Sequence, residues 1–345
     1  MRKNGLCTRK RPRCVEPVTV LSMWTRNRAT TANTTPSATR TTAPAILQHP
    51  HWRLLPGTIT EIAGPAGVGK TQLALTLCAD SVVLNQKAVY VLLGGANMMG
   101  TLSYRLEMML LARTNLLEKV QESRRTRRQS QRTTSTSASS LNNENESATT
   151  TGGVTLKQID QWMSNVYMQW IRNSEDLLEL LSTRLPKLLA SHPPQSIRLI
   201  VLDGIAHLFR HSEDTSGRPS KEYWQARSVT FFKVAGLCKQ LSDQFQVPIV
   251  ILNQATARID SSPSTTINNN ANTDADQVEP ALGPSWKQCV NVSVFLTNTD
   301  LTFRPSQTTV DVRKRRVTCL KAPHIPSQAT MEFYIDKRGT VRICD

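Results

Sequence analysis

The segment from Gly57 to Cys78, GTITEIAGPAGVGKTQLALTLC, leaves this chain few folds to choose from. Thr58 to Ala63 is β-branched or apolar over a strand's length and follows the turn-prone pair Pro56-Gly57. Gly64, Gly69, Lys70 and Thr71 then fit the spacing G-x-x-x-x-G-K-[ST] of a phosphate-binding loop. Leu73, Ala74, Leu75, Leu77 and Cys78 carry the apolar positions of a helix packed on a sheet. The order strand, loop, helix explains the chemistry. Glycines let successive backbone N–H groups turn inward, and the helix N-terminus adds the positive end of its dipole. The nucleotide loop is thus expected from Gly64, Pro65, Ala66, Gly67, Val68, Gly69, Lys70 and Thr71. Lys70 is expected on the β- and γ-phosphates, and the Thr71 hydroxyl on Mg2+.

A second diagnostic strand is Arg198 to Asp203, four apolar residues ending in a carboxylate. Behind a phosphate loop, Asp203 is expected to order the metal through water. Lys87–Leu93 (KAVYVLL), Val166–Ile171 and Val247–Gln254 read as further strands, the first and last buried by their unbroken apolar runs. Helices are expected over Thr101–Val120, Ser174–Ala190 and Glu222–Phe245. Asn173 is placed to cap the second of these, with Asp176 at its third position and Pro186 set to kink or break it. From Val290 to Cys344 the pattern suggests short strands and turns, with a hairpin at Lys337-Arg338-Gly339. Strand and helix alternate from Thr58 to Gln254, so the expected fold is α/β, a mainly parallel sheet with helices on both faces.

Composition divides the rest. The chain has 345 residues and a formal net charge of +16, which suits a polyanionic partner. Residues 1–50 hold one acidic residue, Glu16, and read as a disordered basic tail ahead of a core spanning 51–345 and beginning near Trp52. Arg9-Lys10-Arg11-Pro12-Arg13 suits a nuclear localisation signal, and the Arg- and Thr-rich tail equally suits an organellar (mitochondrial) transit peptide or a solvated tail. Residues 122–153, with Arg124, Arg125, Arg127 and Arg128, read as a low-complexity insertion, and 255–283 as a long mobile loop. Seven cysteines without a C-x-x-C pair favour a reducing compartment. No apolar run approaches the length of a membrane span.

In this order TEIAGPAGVGKTQLALTLC, KAVYV, RLIVLDGIAHLFR, VPIVILNQ, PALGPSW and LKAPHIP resemble the motifs of the RecA-like strand-exchange recombinases and their eukaryotic paralogues. The resemblance runs from about Gly57 to Arg342, outside the low-complexity segments. TQLALTLC, PALG followed by Ser285-Trp286, and Ala322 to Pro326 point within the family to a repair paralogue. The resemblance implies a RecA-like P-loop ATPase core using ATP and Mg2+, single-stranded DNA as ligand, and hetero-oligomers with other paralogues and the main recombinase. It implies a nuclear role in homologous-recombination repair of double-strand breaks. Gln254 takes the place of the γ-phosphate sensor, and the DNA loops match roughly Arg210–Glu222 and Ala255–Gly283, making Arg210, Arg218 and Lys221 the DNA-contact candidates. Pro323 to Pro326 matches the segment that caps ATP from a neighbouring subunit.

Two departures qualify this. The family's water-activating glutamate aligns with Gly94, and losing such a base typically costs about 10²–10⁴ in rate. ATP binding with slow hydrolysis is therefore expected, unless a nearby carboxylate such as Glu107 fills in. No F-x-x-A docking segment is present ahead of the core. Both departures favour an assembly factor over a self-sufficient, filament-forming DNA-dependent ATPase.

Overall fold

A central strand, β1 (Ile59–Ala63), is buried along its whole length. In the computed structural model, which describes residues 54–95, 97–113, 156–209, 221–257, 278–304 and 310–344, it sits in the middle of a nine-stranded sheet. On one side it pairs in parallel with β5 (Ile249–Leu252), followed by β4 (Ile197–Asp203), β2 (Lys87–Leu93) and the edge strand β3 (Val166–Ile171), all parallel. On the other side lies β8 (Val292–Phe303), also parallel to β1. The direction then reverses through β9 (Val312–Lys321), β10 (Thr330–Ile335) and β11 (Val341–Ile343).

The apolar runs make the central strands parallel and doubly covered. Along β4, Leu199 and Val201 enter one hydrophobic layer while Ile200 and Leu202 enter the other. The first layer is closed by α1 (Lys70–Val83), α2 (Met99–Arg113) and α3 (Leu156–Ser164). The second is closed by α4 (Ser174–Glu179), α5 (Leu185–Ala190), α6 (Ile205–Leu208), α7 (Lys221–Phe245) and α8 (Gly283–Cys289). The expected mainly parallel sheet with helices on both faces is what the chain forms.

The Asn173 side chain accepts from the Asp176 N–H at 2.8 Å, as its sequence position implied. Pro186 does not break the helix that Asn173 starts. A π-turn over Leu180–Arg184 separates α4 from α5, and Pro186 lies in the first turn of α5. A wider turn upstream relieves the clash between the proline ring and the preceding carbonyls.

Three expectations need correction. The region after Val290 is not short strands and turns: β8 has 12 residues and β9 has 10. Past Leu296 the strand leaves the core, and Asn298 and Asp300 are exposed, so the apolar signal stops before the pairing does. The loop over 255–283 has paired ends, because β6 (Ala255–Ala257) and β7 (Val278–Pro280) run antiparallel; residues 258–277 lie outside those described. α2 begins at Met99, earlier than Thr101, and is described to Arg113. The tail at 1–50 with its basic cluster, and the insertion at 122–153, also lie outside the described residues. Cys78, Cys238 and Cys319 are buried free thiols. Burial pushes the Cys238 thiol up to about 12, so it packs as a small hydrophobe.

Candidate nucleotide-binding site

The loop between β1 and α1 is held at two positions that suit only glycine. Gly64 has φ 151°, and a Cβ there would lie 2.5 Å from the Leu296 carbonyl oxygen of β8. Gly69, with φ 100°, caps α1 in the left-handed region. The Lys70 ammonium donates to the carbonyls of Gly64 and Pro65, each at 2.7 Å, which places it over the loop. Burial holds its pKa below the usual lysine value, against the opposing pull of Asp203.

Thr71 and Asp203 come together: Thr71 Oγ1 donates to Asp203 Oδ2 at 2.9 Å. The same oxygen accepts from the Tyr90 hydroxyl of β2 at 2.5 Å. Burial raises the Asp203 pKa, and hydrogen bonds from Tyr90 and Thr71, with the charge of Lys70, work against that rise. A hydroxyl and a carboxylate side by side at the end of a phosphate loop form the hard oxygen set that Mg2+ prefers. Thr71 and Asp203 therefore fit the metal. Tyr90 does not stand out in the sequence. Its one signal is a tyrosine inside a buried apolar strand, whose hydroxyl needs a partner.

Beside the loop opens a cleft of about 750 Å3, within the range of small-ligand pockets. Gly67, Gly69, Lys70 and Thr71 form its floor, and Tyr104, Arg105 and Met108 of α2 form one wall. The opposite wall is the β10–β11 turn at Asp336–Gly339, the hairpin expected at Lys337-Arg338-Gly339. Gln72 Nε2 donates to the Gly339 carbonyl at 2.5 Å, and Arg338 Nη1 donates to the Ala112 carbonyl at 3.1 Å, clamping the turn onto α1 and α2. Sequence reasoning finds the hairpin but not its place in the cleft, since that depends on the antiparallel half of the sheet.

At the carboxyl ends of the strands stand Gly94, His207 and Gln254. Gly94 follows β2 with φ 61°, and its carbonyl accepts from Trp170 Nε1 at 3.0 Å. Gln254, just past β5, places its Nε2 2.9 Å from Nε2 of His207 in α6. Glu107 is exposed on α2, and the cleft is lined by its neighbours Arg105 and Met108, so this carboxylate is not brought to the loop. Lys221 is exposed at the start of α7, while Arg210 and Arg218 lie outside the described residues.

Pro323 to Pro326 connects β9 to β10. Lys321, at the end of β9, pairs with Ser293 near the start of β8, and Val292 pairs with Thr60 near the start of β1. This connection therefore lies at the end of the strands opposite to Lys70 of the same chain. Trp286 is core: it is 1% exposed, and its indole donates to the buried Glu61 of β1 at 3.0 Å.

A sequence model of the Rad51 family matches residues 155–278. The Arabidopsis thaliana "DNA repair protein XRCC3 homolog" is 31% identical over 157 residues, which is 41% of this chain and 50% of that protein. The Mus musculus "DNA repair protein XRCC3" is 24% identical over 279 residues, 78% of this chain and 65% of that protein. The chain thus spans 50% and 65% of the lengths of these curated relatives. Among solved structures, that of the RadB recombinase superposes with a TM-score of 0.50 at 15% identity, covering 87% of this chain and 96% of that one. At that identity the likeness is one of fold, and the fold is RecA-like. The chain resembles the RecA-like recombinase paralogues, and XRCC3 among them, as its motifs implied.

Proposed function

We propose that this chain, similar to RecA-like recombinase paralogues in both motifs and fold, binds ATP with Mg2+ and acts in the homologous-recombination repair of DNA double-strand breaks. Its role is that of an assembly factor with weak ATP hydrolysis. In the nucleus it joins other paralogues and helps the main recombinase load on single-stranded DNA. The observation that carries the reading is the joined set of Lys70, Thr71 and Asp203. A phosphate-loop lysine, a hydroxyl and a buried carboxylate meet across 132 residues of sequence, with Thr71 and Asp203 hydrogen-bonded at 2.9 Å. Gly94 supports the slow turnover, because it offers no side chain to an attacking water. The position of Pro323 to Pro326 at the far end of the strands supports contact with the nucleotide of a neighbouring subunit, since in its own chain it lies away from the loop.

The test is recombinase loading on single-stranded DNA, followed as the lag before filament growth. With ATP present, substoichiometric chain should shorten the lag and should co-purify with the recombinase or another paralogue. An unchanged lag without co-purification would sink the assembly reading.

DNA contact through the segment before α7 gives a second expected result. Removing the charges of Arg218 and Lys221 should weaken single-strand binding. It should also lower the slope of log affinity against log salt, by roughly 0.7 for each phosphate that is no longer neutralised. An unaltered slope takes that segment out of the interface.

A further inference from the structure

In an open parallel sheet the ligand crevice lies outside the carboxyl ends of the strands. Among the described residues, Asp203, Gly94, Gln254 and His207 stand at that end of the sheet. Asp203, ending β4, is engaged by Thr71 and Tyr90. Gly94, past β2, has no side chain. Gln254, past β5, carries an amide that does not titrate. His207, in the short helix after β4, is the group whose ordinary chemistry exchanges a proton near neutral pH.

We propose that His207 is the general base for the water that attacks ATP at this site, held and released by Gln254. The inference rests on the nucleotide-binding reading above and assigns the residue through which the weak turnover runs.

Placement is the first argument. His207 lies folded over two glycines. A Cβ built at Gly94 would fall 2.7 Å from His207 Cβ, and one at Gly204 would fall 2.9 Å from His207 Cδ2. Both glycines have positive φ, 61° and 91°. A side chain at position 94 would therefore collide with the His207 Cβ, and one at position 204 with its imidazole. The two bare glycines leave the space in which His207 and its imidazole lie.

Tautomer is the second. His207 Nε2 lies 2.9 Å from the Gln254 amide nitrogen, which donates to it when the ring proton sits on Nδ1. In that arrangement the Nε2 lone pair is directed at Gln254. When the Gln254 amide turns to a phosphate oxygen, that lone pair opens to water in the same movement. His207 is also exposed, so water reaches it. Its positive form favours the carboxylate of Asp203, which places the ring within electrostatic reach of that residue.

The step balances without a further reactant. Water passes a proton to His207 Nε2 as its oxygen bonds to the γ-phosphorus. The bond from that phosphorus to the β–γ bridging oxygen breaks, with its electron pair staying on ADP. The imidazolium then returns the proton to solvent.

The experiment is steady-state ATP turnover of the full chain at saturating ATP and Mg2+, from pH 5.5 to 8.5, alongside ATP affinity. Wild type should show turnover that rises with pH through the imidazole range and then levels. His207→Ala should lower the plateau by about 100-fold or more and abolish the step, with ATP affinity unchanged within about two-fold. His207→Gln, closer in size, should behave the same way, and Glu107→Gln should match wild type. A His207 variant that keeps wild-type turnover or its pH step overturns the assignment. Wild-type ATP binding without turnover at any pH also overturns it, leaving the nucleotide site standing. Failure of wild type to bind ATP overturns the underlying reading, and the inference with it.

Discussion

Lys70→Ala should raise the dissociation constant for ATP on the order of 100-fold or more, with the fold unchanged. The ammonium stands over the loop at 2.7 Å from two carbonyls, and burial has already stripped part of its hydration. A phosphate in that position meets a partly desolvated cation. Truncating one partner of such a charge pair typically costs about 2–5 kcal/mol, which is roughly 30-fold to several thousand-fold in affinity. The loop's N–H groups and the α1 dipole remain, so binding weakens without vanishing. Titrations with ATP, ADP and AMP locate the effect. The loss should be large for ATP and ADP and small for AMP, which lacks the phosphates that Lys70 reaches. Equal loss for all three would mean that Lys70 acts by bracing Gly64 and Pro65, not by touching phosphate. Thermal melts of the two proteins should coincide within a few degrees.

Local signals decide how much of this site the sequence shows. The phosphate loop is legible because its requirements are consecutive: Gly64, Gly69, Lys70 and Thr71 serve one ligand within one turn of chain. Asp203 is legible because a carboxylate ending an apolar strand is a pattern in itself. The roles of Tyr90 and Gly339 are hidden because each acts through a partner far away in sequence, on β4 or on α1. The fold divides the same way. The parallel half, with its unbroken apolar runs, is readable almost strand for strand, and Val166–Ile171 falls at its expected bounds. The antiparallel half is blurred because β8 and β9 run out of the core into solvent, where backbone pairing no longer leaves an apolar trace. The π-turn escapes because Pro186 marks a conflict in the helix without saying how the backbone will relieve it.

Glu61 is the residue where sequence says least and the expected effect on stability is greatest. It reads as a polar interruption in a buried strand, and it is 1% exposed. Its Oε1 accepts from Asn253 Nδ2 at 2.8 Å and from Trp286 Nε1 at 3.0 Å, and its Oε2 accepts from Ser293 Oγ at 2.7 Å. One carboxylate thus ties β1 to the end of β5, to α8 and to β8. Through Asn253, whose Oδ1 accepts from the Gln254 N–H at 2.8 Å, it also fixes the backbone that carries Gln254. Glu61→Ala leaves three buried donors without an acceptor, at about 1–3 kcal/mol each. That sum is comparable with the whole stability of a domain, so the variant should be largely unfolded or strongly destabilised in urea. Glu61→Gln should cost far less. Its carbonyl oxygen keeps Asn253 and Trp286, and its NH2 group finds the Ser293 hydroxyl, which can accept. The two variants differ again with pH. Burial raises the folded-state pKa of Glu61 above its ordinary value, so between the unfolded and folded values the folded chain binds more proton than the unfolded chain. The stability gained from this group is full below the unfolded pKa and fades as pH rises through the raised one. Lowering the pH from 7 toward 5 should therefore move the stability difference between wild type and Glu61→Gln in favour of wild type. If both substitutions destabilise equally at pH 7, the three hydrogen bonds are not what Glu61 contributes. If the difference ignores pH, the carboxylate does not titrate in the folded chain.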